Sequence, residues 1–380
     1  MKIRSIKAFP ISYRLPEGKT VKMGIGRTIK RDAIIVRVET SDGITGFGEA
    51  HPGRSPGAVA SLIDNTLAPM LEGMEATDCN GVWQRVDRMQ LSSHGVGSGA
   101  ALALSGIDIA LWDIRGKAAN MPLYRLLGGR RRRVAAYAGG IALGFQPADA
   151  LVDEARGYME RGFKALKLRL GDNVTDDTLR LRKVRAALGD AVEVLTDVNT
   201  AYTIADVRRL MPALAEVRAG WLEEPFPCQN FAAYRAAAAL SPGVPLAAGE
   251  NHYTRFEFAR LLEDKAVQIW QPDLSKTGGV TEGLRIAALA SAYCIPVHAH
   301  SSATGINHVA TVHFLTAIDN GGYFEACVSP YNPMRDMFGP VCRVDADGCV
   351  EAPEKPGLGI DVDLDVLRKY PLIDGPGYIV

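Results

Sequence analysis

Residues 163–171 read FKALKLRLG. Leu166, Leu168 and Leu170 alternate with Ala165, Lys167 and Arg169. Successive side chains of a strand leave by opposite faces, so the leucines share one face and the two cations the other. If the leucines pack beneath a helix, Lys167 and Arg169 point into whatever the sheet encloses. The rest of the chain must supply a reason for aiming two cations at an interior.

Outward from this stretch, short apolar runs alternate with amphipathic ones. The runs are VAAYAGG (134–140), ALKLRL, VEVLTDVN (192–199), GWLEEPF (220–226), PLAAGEN (245–251), VQIWQPD (267–273), IPVHAH (295–300) and YFEACVS (323–329). Helical patterns such as ALVDEARGYMERG (150–162) and TEGLRIAALASAYC (281–294) separate most of them. Repeated strand–helix units imply parallel strands, and eight of them imply a (β/α) barrel. The part before it looks α+β: KIRSIKAFPI (2–11) and AIIVRVET (33–40) are strand-like, and Ser41-Asp42-Gly43 turns the second into TGFGEA. A helical pattern runs from about Ser98 to Ala119, with Leu104, Ile107, Leu111 and Ile114 on one side. Between the first two strands lies LPEGKTVKMGIGRTIK (15–30), polar and glycine-bearing, expected to be a mobile lid that carries Lys19, Lys22, Arg27 and Lys30. The expected division is an α+β cap over 1–128, a barrel over 129–340 and a tail over 341–380 that packs elsewhere.

Composition excludes several classes. With 43 Lys and Arg against 43 Asp and Glu, the formal charge is zero, which argues against nucleic acid or an anionic membrane as partner. The run Arg130–Arg133 has no interleaved aromatic or further basic residues, and is expected to be a solvated linker. The N-terminus has no apolar run long enough for a signal peptide, and ALALSGIDIALW is interrupted by Asp108 and too short to span a bilayer. Six cysteines without CxxC or CxH spacing are expected to be free thiols in a reducing, cytoplasmic compartment.

Every expected barrel strand after the first ends in a charged or titratable residue. In order they are Lys167, Asp197, Glu223, Glu250, Asp273, His300 and Glu325, separated by 30, 26, 27, 23, 27 and 25 residues, close to one strand–helix unit each time. The C-terminal strand ends of a parallel barrel meet at one mouth, so the spacing turns seven distant residues into a ring. Asp197, Glu223 and Glu250 come from consecutive units. Three neighbouring carboxylates repel unless a cation lies among them, and an all-oxygen set favours a hard ion such as Mg²⁺; the alternative is neutralisation by Arg or Lys. Glu224 has the opposite parity and is expected to lie behind the ring. Asp273 beside His300 would fix its tautomer and raise its basicity, as a general base requires. His298 shares the parity of His300 and is a candidate substrate contact, the alternative being a hydrogen-bonded barrel histidine; the remaining histidines, His252 and His313 among them, are read as structural. Gly278-Gly279 does not match GxGxxG and reads as a tight strand–helix turn rather than a dinucleotide loop.

Together the chain resembles the enolase superfamily, and within it the mandelate racemase subgroup. The matching pieces are SGIDIALWDIRGKAANMPLYRLLGG (105–129), GFKALKLRLG (162–171), TDVN (196–199), WLEEP (221–225), AAGEN (247–251), QPDLSKTGGVTE (271–282), IPVHAHSS (295–302) and PGLGI (356–360). The resemblance implies a modified (β/α)7β barrel of TIM type, with an α+β capping domain to which the tail returns. It also implies Mg²⁺ on Asp197, Glu223 and Glu250, an Asp273–His300 base dyad, and Glu325 hydrogen-bonded to a developing enediolate. The muconate-lactonizing subgroup would carry a lysine at Asp273.

The chemistry agrees. A proton α to a carboxylate is too weakly acidic for a histidine or lysine to remove unaided, and a divalent cation on the carboxylate oxygens stabilises the dianion as it forms. Lys167 and Arg169 would line the same mouth and supply fixed positive charge, Lys167 usually touching the substrate carboxylate at the matched position. Arg169, Asn199 and His298 are the expected substrate contacts. The subgroup's strand ends Lys-x-Lys, and its second lysine is a base; here that place holds Arg169, which cannot be deprotonated. The expected activity is dehydration of a sugar acid to a 2-keto-3-deoxy acid, with racemase, epimerase or cycloisomerase chemistry through the same intermediate as the alternative. A silent binding protein on this fold would lack the ligands or the dyad, and this chain has both. The expected partners are a small carboxylate substrate and further copies of the chain.

Overall fold

The computed structural model describes residues 1–240 and 243–379. At the N-terminus β1 (Ile3–Arg14) is followed by an insert carrying β2 (Lys22–Met23) and β3 (Gly26–Thr28), then by β4 (Lys30–Thr40) and β5 (Thr45–Ala50). β1, β4 and β5 form an antiparallel sheet in that order. The helix Ser98–Ala118 lies on it, and 16 of its 21 residues are buried, so it is enclosed on every side rather than amphipathic. Glycines in β5 permit that contact: a Cβ on Gly48 would lie 2.0 Å from the Gly106 carbonyl oxygen.

The repeated units form the expected barrel. Its parallel strands are β6 (Val134–Gly139), β7 (Ala165–Arg169), β8 (Glu193–Asp197), β9 (Leu222–Glu223), β10 (Leu246–Ala248), β11 (Ile269–Trp270) and β12 (Phe324–Cys327). β12 pairs with β6, and residues 297–300, bridged to Trp270 and Asp273 on one side and Gly321 on the other, complete the circle. Eight strand positions and seven intervening helices give (β/α)7β. The tail adds β13 (Cys349–Val350) to β6 and sends β14 (Tyr378–Ile379) onto β3.

The run Arg130–Arg133 is the exposed linker expected ahead of β6, and two of its cations are paired with the tail. Arg131 pairs with Glu351 at 2.5 Å, and Arg133 with Asp345 at 2.5 Å and Asp347 at 2.9 Å. All six cysteines are free thiols. Among the described residues no helix is long and apolar enough to cross a membrane.

The cap and the barrel meet where helix N-termini need partners. The first amides of a helix lack intrahelical acceptors. Along one face of Ser98–Ala118, Ser105 Oγ accepts from the Gly278 amide at 2.8 Å, and Asp108 accepts from the Thr281 amide at 2.9 Å and its hydroxyl at 2.6 Å. Trp112 Nε1 donates to Thr281 Oγ1 at 2.8 Å. The barrel helix Gly279–Ser291 is thus capped by another domain. Gly278-Gly279 is more than a tight turn: at Gly279, φ is +85° and a Cβ would stand 2.3 Å from Asp108. Glu49 of β5 does the same for the helix Gly305–Ala317, accepting from the Asn307 amide at 3.2 Å and from the Thr304 hydroxyl. Burial pushes Asp108 up to about 7 and Glu49 up to about 8.

Two outcomes follow for the interface. Gly279→Ala should destabilise the protein by about 1–3 kcal/mol, the cost of overpacking a close contact, read by denaturant unfolding. Asp108 titrates higher folded than unfolded, so its contribution is complete below about pH 4 and is lost as pH rises towards 7. The melting temperature of Asp108→Asn relative to the parent should therefore rise between pH 5 and pH 7.5; a constant difference would contradict the buried, protonatable carboxyl.

Candidate functional site

At the C-terminal ends of the strands, backbone register sets the charges side by side. Arg169 pairs with Asp197 across β7 and β8, and Asp197 with Glu223 across β8 and β9. Lys167 lies two residues below Arg169 on the same face, fully buried, with its Nζ 2.7 Å from Glu223 Oε1, 3.2 Å from Glu325 Oε1 and 3.4 Å from Asp197 Oδ2. Burial opposes its charge, but Glu223 and Glu325 outweigh burial and hold its pKa well above the usual lysine value. Lys167 therefore does not border the cavity, as the sequence suggested; it is the counter-ion beneath the acids. Arg169 does border it, bonded to Asp197, to Asn199 Oδ1 at 3.2 Å and to the Gly140 carbonyl at 2.5 Å.

Glu223 is held from three sides. Besides Lys167 it accepts from Gln271 Nε2 at 2.7 Å and Trp221 Nε1 at 3.0 Å. Burial and the neighbouring Asp197 nevertheless push it up to about 8. Glu224 departs from the expected parity: β9 ends at Glu223, φ at Glu224 is +34°, and its carboxyl turns into the mouth, accepting from Asn251 Nδ2 at 2.6 Å. Burial and Glu250 push Glu224 up to about 8 as well.

Asp273 and His300 form the expected dyad, Oδ2 to Nδ1 at 2.6 Å. The other Asp273 oxygen accepts from the Ser275 amide at 2.8 Å, its hydroxyl at 2.7 Å and Asn307 Nδ2 at 3.2 Å. Burial disfavours charge on Asp273, yet His300 above all, with Lys276 and His51, keeps its pKa below the usual carboxylate range. An ionised Asp273 fixes the proton on Nδ1, leaving Nε2 facing Glu250 Oε2 at 2.9 Å and Glu325 Oε2 at 3.7 Å. Glu250 and Glu325 overcome burial and hold His300 well above 6.5. Glu325 Oε1 accepts from the Gly140 amide at 2.8 Å, while Oε2 is buried without a partner. Against burial, Lys167 and His300 draw Glu325 down to about 2, so here it is an acceptor.

His298 is not at the mouth. Its parity matches that of His300, but two residues along a strand is a step of about 7 Å, enough to place it in a deeper layer. Its Nδ1 accepts from the Tyr323 amide at 2.7 Å, its ring packs 5.2 Å from Trp221, and it borders a cleft with Arg132 and Arg133 instead. Burial pushes it down to about 4. It is the hydrogen-bonded barrel histidine.

The mouth opens into a cavity of about 210 Å³. Its floor includes Arg169, Asn199, Glu224, Glu250 and His300, and its roof comes from the cap and the tail. Of the insert's cations only Lys30 lines it; Lys22 pairs with Asp172 at 3.5 Å and Lys19 lies over the Tyr331 ring, while Met23 and Ile25 face the cavity. The insert is packed down: a Cβ on Gly24 would lie 2.2 Å from the Val198 carbonyl oxygen. Further residues border the cavity, among them His51, which the sequence led us to read as structural, and Lys276, which it did not single out. His51, enclosed under the cap and facing Lys276, is pushed down to about 3. Lys276 stands 3.9 Å from Glu250. The signal for Lys276 was its place three residues after Asp273; nothing local marked His51.

Asp197, Glu223 and Glu250 are the residues that could hold a divalent cation. Among the described residues no three acids or histidines converge on one point, because Asp197 is turned onto Arg169, Glu223 onto Lys167 and Glu250 onto His300. Resident cations neutralise the acid cluster, one of the two expected answers; burial and neighbouring acids still raise Glu223 and Glu224, which further positive charge would relieve. The all-oxygen donor set suits Mg²⁺.

Comparison with known proteins gives the family. Residues 9–128 match the mandelate racemase / muconate lactonizing enzyme N-terminal domain, and residues 150–366 match the enolase C-terminal domain-like family. The chain is 34% identical over 360 residues to 3,6-anhydro-alpha-L-galactonate cycloisomerase of Streptomyces coelicolor, covering 94% of this chain and 96% of that protein. It is 32% identical to arabinonate dehydratase of Saccharolobus solfataricus, covering 89% and 90%. A crystal structure of an enolase superfamily member from Polaromonas sp. JS666 is 69% identical over the whole of both chains, with a TM-score of 0.98. A racemase structure from Streptomyces coelicolor with bound magnesium is 31% identical, covering 97% and 100%, with a TM-score of 0.86. Fold, ring of strand-end residues and sequence agree that the chain belongs to the mandelate racemase/muconate lactonizing enzyme family of the enolase superfamily.

Proposed function

We propose that this enzyme removes the proton α to the carboxylate of a sugar acid with His300, and expels the 3-hydroxyl from the resulting enediolate to give a 2-keto-3-deoxy acid. The observation that carries this reading is the asymmetry of the mouth. On one side His300 is oriented by Asp273 at 2.6 Å, with Nε2 on the cavity side, 2.9 Å from Glu250 Oε2. On the other, Arg169 is bonded to Asp197, Asn199 and the Gly140 carbonyl, and a guanidinium cannot accept a proton. Lys167 below it is held charged. One face of the substrate meets a base and the other does not.

Asp197, Glu223 and Glu250 would hold Mg²⁺, which when bound supplies positive charge for the enediolate oxygens. Glu250, the strongest influence holding His300 protonated, would be drawn away from it on taking up a cation, and His300, then neutral, takes the C2 proton on Nε2 as the C2–H bond breaks. The same proton then passes to the C3 oxygen as the C3–O bond breaks, water leaves, and the enol becomes the ketone. Arg169 and Asn199 face the substrate's anionic end. Glu325 Oε2, buried without a hydrogen-bond partner, could accept a hydrogen bond from a protonated oxygen of the enediol. The cap and tail enclose the site and exclude water. The dehydratase among the relatives supports this reading. The cycloisomerase at 34% identity favours a second, capture of the same enediolate by a substrate oxygen rather than loss of water.

His300→Asn should lose about 10²–10⁴-fold in kcat, the scale of a general acid–base group, with unchanged circular dichroism. In D₂O the wild-type enzyme should consume one C2 epimer without racemising what remains. Deuterium entering C2 with inversion, followed by NMR, would reveal a second base and overturn the one-base reading. For the metal, Glu250→Gln should weaken Mg²⁺ binding in calorimetry and abolish turnover; parental kcat for that variant in EDTA would show the assignment to be wrong.

A further inference from the structure

The roof of the cavity carries charge that chemistry at the floor does not use. Arg31 of β4 lines the cavity, is 8% exposed, and makes no ion pair or side-chain hydrogen bond among the described residues; its Nε is buried without a partner. Taking a guanidinium out of water without an acid is unfavourable. Burial bears most on it, followed by the Cys327 thiol and the Tyr378 phenol, and next comes another cation, Arg335, itself paired with Asp336 at 2.6 Å. The acid next in sequence is already taken, since Asp32 pairs with Lys30 at 3.2 Å and accepts from Ser12 Oγ at 2.6 Å.

A second guanidinium flanks the same place. Arg54 lines the cavity, has no ion pair among the described residues, and lies 5.1 Å from the centre of the Tyr378 ring. Its backbone is left-handed, with φ at +61°, a conformation that a non-glycine residue adopts at a cost. Tyr378 arrives from the tail on β14, also lines the cavity, and its hydroxyl has no hydrogen-bond partner among the described residues. Arg31, Arg54 and Arg169 all bear electrostatically on that phenol. Two unpaired guanidinia and an unpaired hydroxyl therefore stand over the cavity, across from the His300 floor.

We propose that Arg31, Arg54 and Tyr378 form an anion subsite and that the substrate is a dicarboxylate, a sugar diacid whose far carboxylate this subsite binds. The proposal rests on the floor being an enediolate site for the near carboxylate. A guanidinium presents parallel N–H donors that match a carboxylate edge, and such charge-assisted pairs combine orientation with affinity. The tail would then take part in selecting substrate, because its strand β14 carries Tyr378 to the cavity.

The test uses the Mg²⁺-loaded enzyme and pairs of acid sugars of equal length and configuration, one ending in a carboxylate and the other in a hydroxymethyl group. Deuterium exchange at C2 and keto-acid formation are read for each. The diacid should be favoured by at least about 10²-fold in kcat/KM, since a site built around a polar group rejects the analogue that lacks it. Arg54→Met, at an exposed position, should cut that ratio about 10-fold, mainly through KM, and Arg31→Met should cut it further. Should Arg31→Met fail to fold by circular dichroism, Arg54→Met decides. Equal use of both acids, preference for a terminally phosphorylated monoacid, or a ratio unchanged in Arg54→Met overturns the proposal. Calorimetry with glutarate against pentanoate reads the subsite without turnover. Arginine-dependent glutarate binding with no C2 exchange in any acid would uphold the subsite and reject the floor chemistry; exchange without diacid preference would do the reverse.

Discussion

Three acids on adjacent strands can lie side by side in a barrel only if positive charge lies among them. Lys167 and Arg169 supply it from below and from the side, at 2.7 Å from Glu223 and in contact with Asp197. Removing either would leave buried carboxylates facing one another, so the architecture of the mouth depends on this pairing before any ligand arrives. The pairing also decides the chemistry. A cation committed to neutralising its neighbours cannot serve as a base, and the lysine is held charged by the acids it supports.

The catalytic side and the cap are linked by the same device that holds the domains together. Glu49 of the cap accepts from the Asn307 amide, Asn307 donates to Asp273, and Asp273 orients His300. A cap that shifted would lose its acceptor for that helix N-terminus and disturb the dyad. Asp108 secures the neighbouring barrel helix in the same manner. Both contacts place a carboxyl where helix amides converge, which favours negative charge, in an interior that disfavours it. The outcome is a pair of carboxyls with pKa values near neutrality.

The tail is as much part of the active site as the cap. Asp113 accepts from the Leu358 amide at 2.9 Å and the Phe47 amide at 3.0 Å, fastening tail and β5 to one helix. Further on, β14 pairs with β3 and delivers Tyr378 to the cavity. The insert between β1 and β4 therefore supplies two strands, β2 and the central β3, of a small three-stranded sheet closed over the barrel.

The sequence by itself determined the barrel, because strand alternation and unit spacing are periodic and local. The same periodicity placed Asp197, Glu223, Glu250, Asp273, His300 and Glu325 on one rim, and the resemblance to the mandelate racemase subgroup marked Arg169 as standing in place of a second base. It failed where period two says which face a residue takes but not how deep it lies: His298 and Lys167 share the inward face yet sit below the cavity. It failed again at Glu224, where the strand stops and a positive φ turns the side chain back. The roof was illegible for another reason. Arg31, His51, Arg54 and Tyr378 come from segments far apart in the chain with no common period, and only the packing of cap, barrel and tail brings them over one cavity.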